Sequence, residues 1–344
     1  MQPDTGGRQG VRERRKRGAG FANGFAAVIA MASAGEAAAD EAGSSFWLPG
    51  QFASFAAAPY ATPGWAVELV YYRATASAKA GDGVQRGTGF QIGVDTPSDL
   101  FMLTPTYVFA TPVFGAQASI GVSALFGRNK TSVSATLTGP DGAVLSGTDT
   151  DQVVGFGDIS PTASLAWSRD VHNFMLYATA NIPVGAYSVN SNAALGMGYW
   201  VVDAGAGYTY LNEKAGFEWS AVLGFSYNFV NPHTQYQSGI DVHLDWAVSP
   251  YLSDTMHAGI VGYFYNQVTD DRGAPALLGD FRSRVAGIGP QLGFFFPLGE
   301  RQAYLNVRGY YEFDAQNRPD GWTGWVTFSL APPERMPARS VRRR

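Results

Sequence analysis

The sequence contains no cysteine, which excludes disulfides, thiolate metal sites and a cysteine nucleophile. Charge is scarce as well. Asp, Glu, Lys and Arg make up 15% of the chain, against about 25% in soluble domains. No run of eighteen apolar residues follows the N-terminal region, and the mean hydropathy is -0.07, so no transmembrane helix is expected. The charge that is present is unevenly placed. Arg8, Arg12, Arg14, Arg15, Lys16 and Arg17 crowd the start, and Arg335, Arg339, Arg342, Arg343 and Arg344 the end. The body between them is acidic, which argues against nucleic acid as a partner. Aromatic residues, by contrast, reach 14%, and there are 42 glycines, as strongly curved sheets need.

The dominant pattern is alternation. From Phe217 to Phe229 every odd position is apolar or aromatic, and most even positions are small or polar. From Ile240 to Ser249 the parity swaps: Ile240, Val242, Leu244, Trp246 and Val248 alternate with Asp241, His243, Asp245, Ala247 and Ser249. Successive strand side chains point to opposite faces, so each segment reads as a strand with one apolar and one wet face. Its length of roughly ten residues suits a bilayer-crossing strand in a closed barrel.

The same unit recurs near 65–76, 99–111, 115–127, 153–167, 173–184, 199–210, 216–229, 239–249, 255–266, 283–296, 302–314 and 321–331. The fold expected is all-β: a transmembrane antiparallel up-and-down barrel of about twelve strands, an even number as bacterial single-chain barrels have. Short connections alternate with mostly longer ones over 77–98, 128–152, 185–198, 230–238, 267–282 and 315–320, matching short periplasmic turns and long outer loops. Outward aromatics gather near the short turns (Tyr107, Phe109, Trp167, Phe174, Tyr208, Trp219) and near the long loops (Phe126, Phe225, Tyr227, Tyr311, Trp322). Smaller aliphatics lie between them. This is the order of two interfacial belts; a soluble sandwich would bury its largest apolar groups in mid-strand.

Residues 1–34 read as a secretory signal peptide, with a basic stretch, an apolar run from Phe21 to Met31 and a small-residue site at Ala32-Ser33-Ala34. Residues 35–64 form an apolar linker or hatch. Phe46, Trp47, Phe52 and Phe55 stand among Pro and Gly there, and they pack either inside the barrel or on its periplasmic rim. The barrel is expected over 65–331, with a basic tail at 332–344.

The chain resembles the family of outer-membrane proteins named for the meta-pathway of phenol degradation. The resemblance lies in Phe46-Trp47-Leu48-Pro49-Gly50, in Pro63-Gly64-Trp65 leading to Tyr71-Tyr72, in Gly155-Phe156-Gly157-Asp158-Ile159-Ser160-Pro161, in Gly207-Tyr208-Thr209-Tyr210 and in Gly262-Tyr263-Phe264-Tyr265. It covers roughly 46–330. It implies a transport protein of the bacterial outer membrane for small hydrophobic or aromatic permeants, with outer-membrane lipid and the barrel-assembly machinery as partners. It carries over no catalytic residue, cofactor or metal.

Parity supplies the candidate lumen residues. Asp241, His243 and Asp245 share one inward face, where they could hold a metal or relay protons. Their spread of about 13 Å along a strand favours a polar wall instead. Glu68, Arg308 and Glu312 form a second inward group, in which Arg308 is expected to neutralise a carboxylate, either as a selective constriction or as a wall ion pair. Asp158 and Asp203 are also inward. Gly155 and Gly157, and Gly205 and Gly207, leave gaps beside them for a hatch, a loop or a ligand. No catalytic residues are assigned. The alternatives to a channel are a lipid hydrolase, which needs a serine within reach of a histidine, and a structural or adhesive barrel.

Overall fold

The computed structural model describes residues 45–80, 83–84, 88–138, 143–273 and 282–333. The expected signal peptide and most of the basic tail lie outside these residues. The strands are β1 (Gly64–Ala80), β2 (Gly83–Val84), β3 (Thr88–Val108), β4 (Gln117–Thr138), β5 (Val144–Arg169), β6 (His172–Asn181), β7 (Val201–Asn212), β8 (Phe217–Asn228), β9 (Tyr236–Gln237), β10 (Asp241–Ser253), β11 (Met256–Gln267), β12 (Arg272–Gly273), β13 (Arg284–Leu298), β14 (Arg301–Gln316) and β15 (Asp320–Leu330). Three of them are two-residue pieces: β2 pairs with β3, and β9 pairs with β12. The other twelve form one antiparallel sheet that closes because β1 pairs with both β3 and β15. Closure removes the unpaired edge that lipid could not satisfy.

The alternation read from the sequence sets the faces. Along β10 the inward residues from Asp241 to Ser249 are all buried. Asp245 lies level with Val222 and Tyr263, and outward Leu244 lies level with Leu223 and Phe264. A one-residue slip would exchange the two faces, carrying both aspartates to the lipid.

Outward aromatics form two belts. Trp65, Tyr107 and Phe109 touch near one end, as do Phe174, Tyr208 and Trp219. Tyr71 meets Phe101, Phe126 meets Phe156 and Tyr311 meets Trp322 near the other. Between them Leu69, Leu103, Ile120, Val122, Leu176 and Leu223 stand exposed. Beyond Tyr71 and Phe126 on β1 and β4, Arg73 and Arg128 clasp Asp99 at 2.6 and 2.7 Å. Charges return there to the outer face, as they must where hydrocarbon ends.

Two expected loops are strands instead. β1 runs on to Ala80 and β3 begins at Thr88, while β4 and β5 pair up to Thr138 and Val144. The regions read as loops over 77–98 and 128–152 are therefore mostly ladder. Beyond the membrane, lipid no longer imposes an apolar outer face. The Ser- and Thr-rich stretches keep their β propensity without the apolar alternation.

The chain enters and leaves on the same rim. The Thr62 hydroxyl donates to the carbonyls of Pro332 and Pro333, and Arg301 donates to those of Trp65 and Ala331.

Candidate functional site in the barrel lumen

Residues 45–62 do not form a strand, so their backbone N–H and C=O groups need partners from elsewhere. Inward side chains of the barrel provide them. Asp245 accepts from Gly50 N at 2.9 Å and from Phe52 N at 3.0 Å. Glu218 accepts from Phe55 N at 2.9 Å, and Thr209 from Ala57 N at 3.0 Å. Arg308 donates to the carbonyls of Gly50 and Gln51 at 3.1–3.3 Å, and Tyr310 donates to that of Gly50. Ser54 sits against Ser249 and Gln291. The buried polar residues of β7, β8, β10, β13 and β14 thus act as a wall that binds an irregular peptide.

Side chains of this segment fill the same half of the lumen. Trp47 is 2% exposed and stacks on His243, with centroids 3.7 Å apart and planes 13° apart. Phe52 packs on Trp47 and Tyr177. Phe55 is enclosed by Tyr251, His257, Phe295 and Tyr304. Phe46 is half-buried near the start of the described residues. Gly50 has φ +84°, and a Cβ there would lie 2.8 Å from the Tyr310 ring. Only glycine allows both that turn and that approach.

The inward charges serve separate partners. Asp241 accepts from Asn228 at 2.8 Å. His243 faces Asp203 at 2.9 Å, and Asp203 also accepts from Ser226 at 2.6 Å. Glu312 accepts from Tyr263 and from Gly321 N. Among the described residues no group of three His, Asp or Glu could hold a metal, and no hydrogen bond joins a serine to a histidine. Among the described residues Arg308 has no carboxylate within ion-pair distance. Besides the carbonyls it donates to Asn306 and Thr327, and it lies over the Trp325 ring at 4.8 Å. A guanidinium offers five fixed donors, and here they fit peptide carbonyls rather than a carboxylate. Glu68 makes no ion pair among the described residues and is exposed, although its neighbours Ala66 and Val70 on the same face are buried.

The gaps beside the two aspartates have different occupants. In β5 the pairing steps from Ala124↔Ile159 to Phe126↔Phe156, a bulge that turns both Gly157 and Asp158 inward. Asp158 then accepts from Gly185 N, Met197 N and Asn181, each at 2.7 Å. It folds the connection between β6 and β7 into the barrel. A Cβ on Gly157 would sit 2.6 Å from the Leu195 carbonyl, so that gap holds a loop. Gly207 lies under Ala57, whereas Gly205 faces Tyr177 and the β8 backbone. Leu195 completes an apolar cluster with Tyr72, Leu100, Met102, Leu125 and Trp325. Leu48 and Ala53 of the N-terminal segment pack on the same cluster. Periodicity marked the inward faces, but the loop and the bulge left no periodic signal.

A family profile described as "Putative MetA-pathway of phenol degradation" matches residues 75–328. Among solved structures, an outer membrane channel from Pseudomonas putida F1 is similar, with a TM-score of 0.59 and 15% identity, covering 79% of this chain and 97% of that one. The CymD monoaromatic hydrocarbon channel aligns with a TM-score of 0.40 and 7% identity, covering 80% and 90%. OmpT of Vibrio cholerae aligns with a TM-score of 0.33 and 8% identity, covering 80% and 99%. No curated protein matches. The first of these structures shares the barrel fold.

Proposed function

Since the chain belongs to the family described as the putative MetA-pathway of phenol degradation, we propose that it is an outer-membrane channel for passive uptake of small hydrophobic or aromatic compounds. The observation that carries this reading is the apolar collar inside a closed barrel. Leu125 of the wall, Leu48 of the N-terminal segment and Leu195 of the loop before β7 all pack on one apolar cluster that includes Leu100. An apolar solute loses little at such a collar, while a hydrated ion would have to shed its water there. The family description supports the same class of solute, since phenol is a small aromatic molecule.

In this reading Phe46, Trp47, Phe52 and Phe55 belong to a hatch. Asp245, Arg308, Asp241, His243, Asp203 and Glu312 hold the wall and hatch together, Asp158 holds the loop, and Glu68 faces the permeant. The chain works without a cofactor or a catalytic residue. Residues 1–34 direct export, the barrel-assembly machinery inserts 65–331, and outer-membrane lipid surrounds it.

Intact cells carrying the barrel should take up a radiolabelled monoaromatic compound faster than cells lacking it, at equal glucose uptake. Equal rates would contradict the proposal. Turnover of phospholipid by the purified barrel, lost on changing His243 or His257, would favour a hydrolase.

A further inference from the structure

The lumen is filled unevenly. On β7, β8, β10, β13 and β14 the inward polar residues are buried, and Thr209, Glu218, Asp245, Gln291 and Arg308 are bonded to residues 50–57. On β3, β4 and β5 the inward residues Thr104, Thr106, Ser119, Ser123, Thr162 and Ser164 are small hydroxyls, all partly open to water, and Thr179 of β6 joins them, whereas Asn173, Met175 and Tyr177 of β6 are buried. The hydroxyls form three bonded pairs: Thr104 with Ser123 at 2.7 Å, Ser119 with Ser164 at 2.7 Å, and Thr162 with Thr179 at 2.9 Å. Among the described residues, no side chain of the N-terminal segment is bonded to them. Glu68 borders this strip, level with Thr104 in the β1–β3 ladder. Asp158, Asp203, Glu218, Asp241, Asp245 and Glu312 are buried, whereas Glu68 is exposed.

We propose that this Ser/Thr strip, between the fixed N-terminal segment and the β3–β5 wall, is the periplasmic half of the permeation route, and that it takes small uncharged molecules bearing hydroxyl groups while Glu68 turns anions away. The proposal rests on the channel reading and refines it. Hydroxyls both donate and accept, so a strip of them can hand a hydroxylated solute from pair to pair without binding it tightly. Their small side chains leave the width that Tyr177, Tyr263 and Trp325 take up on the other side. A carboxylate in a narrow cleft focuses its field along the path. The N-terminal segment is then a permanent wall, and the solute passes beside it.

The absence of cysteine makes the test direct. Single cysteines would replace Thr104, Ser123 and Thr162 on the strip, and Thr209, Ser220 and Thr327 on the filled side, in the full-length barrel. Water-soluble methanethiosulfonates should modify the first three at least about tenfold faster, and modification of Ser123→Cys should lower conductance in planar bilayers. A cationic reagent should outpace an anionic one at Ser123→Cys by about tenfold, the low end of focusing by a charged cleft. Glu68→Gln should remove that preference.

Equal labelling of the two sets, or modification without a fall in conductance, would overturn the route. A preference that survives Glu68→Gln would overturn the role of Glu68. Absence of conductance and uptake in the unmodified barrel would defeat the channel reading itself, and the labelling contrast would still decide whether the strip is open to water.

Discussion

Asp245 anchors two backbone amides of the N-terminal segment, and its removal gives a quantitative test. Its two oxygens accept from Gly50 N and Phe52 N at 2.9 and 3.0 Å. Hydrogen bonds to a charged partner contribute about 1.5–3 kcal/mol each. Losing both in Asp245→Ala should weaken local anchoring by about 3–6 kcal/mol. That corresponds to an opening equilibrium raised by about two to four powers of ten. The backbone amides of 47–57 should exchange with deuterium faster by that order, as read by mass spectrometry of the barrel in nanodiscs. The ladder of β10 with β8 and β11 does not depend on the Asp245 side chain, so its amides should keep their protection. Asp245→Asn keeps one acceptor and should give an intermediate acceleration. Unchanged exchange over 47–57 would refute the anchoring argument. Equal acceleration across β10 would show that the substitution loosens the barrel instead of the segment.

Gly50→Ala should act on the same segment by another route, costing about 1–2 kcal/mol for the left-handed backbone alone, besides the overlap with Tyr310; fluorescence quenching of Trp47 by a soluble quencher should rise, and unchanged quenching would contradict this. Asp158→Ala removes two bonds to the loop before β7, from Gly185 N and Met197 N, so protease cleavage within 185–198 should become faster while the barrel stays intact; equal cleavage rates would count against the clamp. Cysteines at 242, 244 and 246 should react only with membrane-soluble thiol reagents. Those at 241, 243 and 245 should react with water-soluble ones once residues 45–60 are deleted, and the reverse parity would overturn the strand register. Samples left unboiled should migrate differently from boiled ones in detergent gels, since a closed sheet has no edge from which to unravel; identical migration would count against closure.

The barrel is legible in the sequence because lipid imposes a rule on every strand. One face must be apolar, so the parity of Val242, Leu244 and Trp246 can be read directly, and the belts at Tyr107 and Tyr227 mark where the rule ends. The rule stops at the membrane surface, which is why the outer lengths of β4 and β5 read as loops. Inside the lumen, parity says that Asp245 and Arg308 point inward and nothing about what they meet. Their partner, Gly50, lies 195 and 258 residues away. Charge alone suggests that Arg308 should seek a carboxylate, but an irregular peptide with unpaired carbonyls offers it more acceptors. The Gly157–Asp158 bulge is equally hidden, because one extra residue breaks the period that parity relies on.

The most direct test of conduction through this lumen is a reversible block at the collar. Leu125→Cys places one thiol among Leu100, Met102 and Leu195. Uptake of a radiolabelled monoaromatic compound by intact cells would be measured before modification, after attachment of a bulky aromatic disulfide reagent, and after its release by a reductant. If solute passes through the collar, uptake falls to the level of cells without the barrel and returns on reduction. Uptake unaffected by a fully modified Cys at 125 would contradict the account.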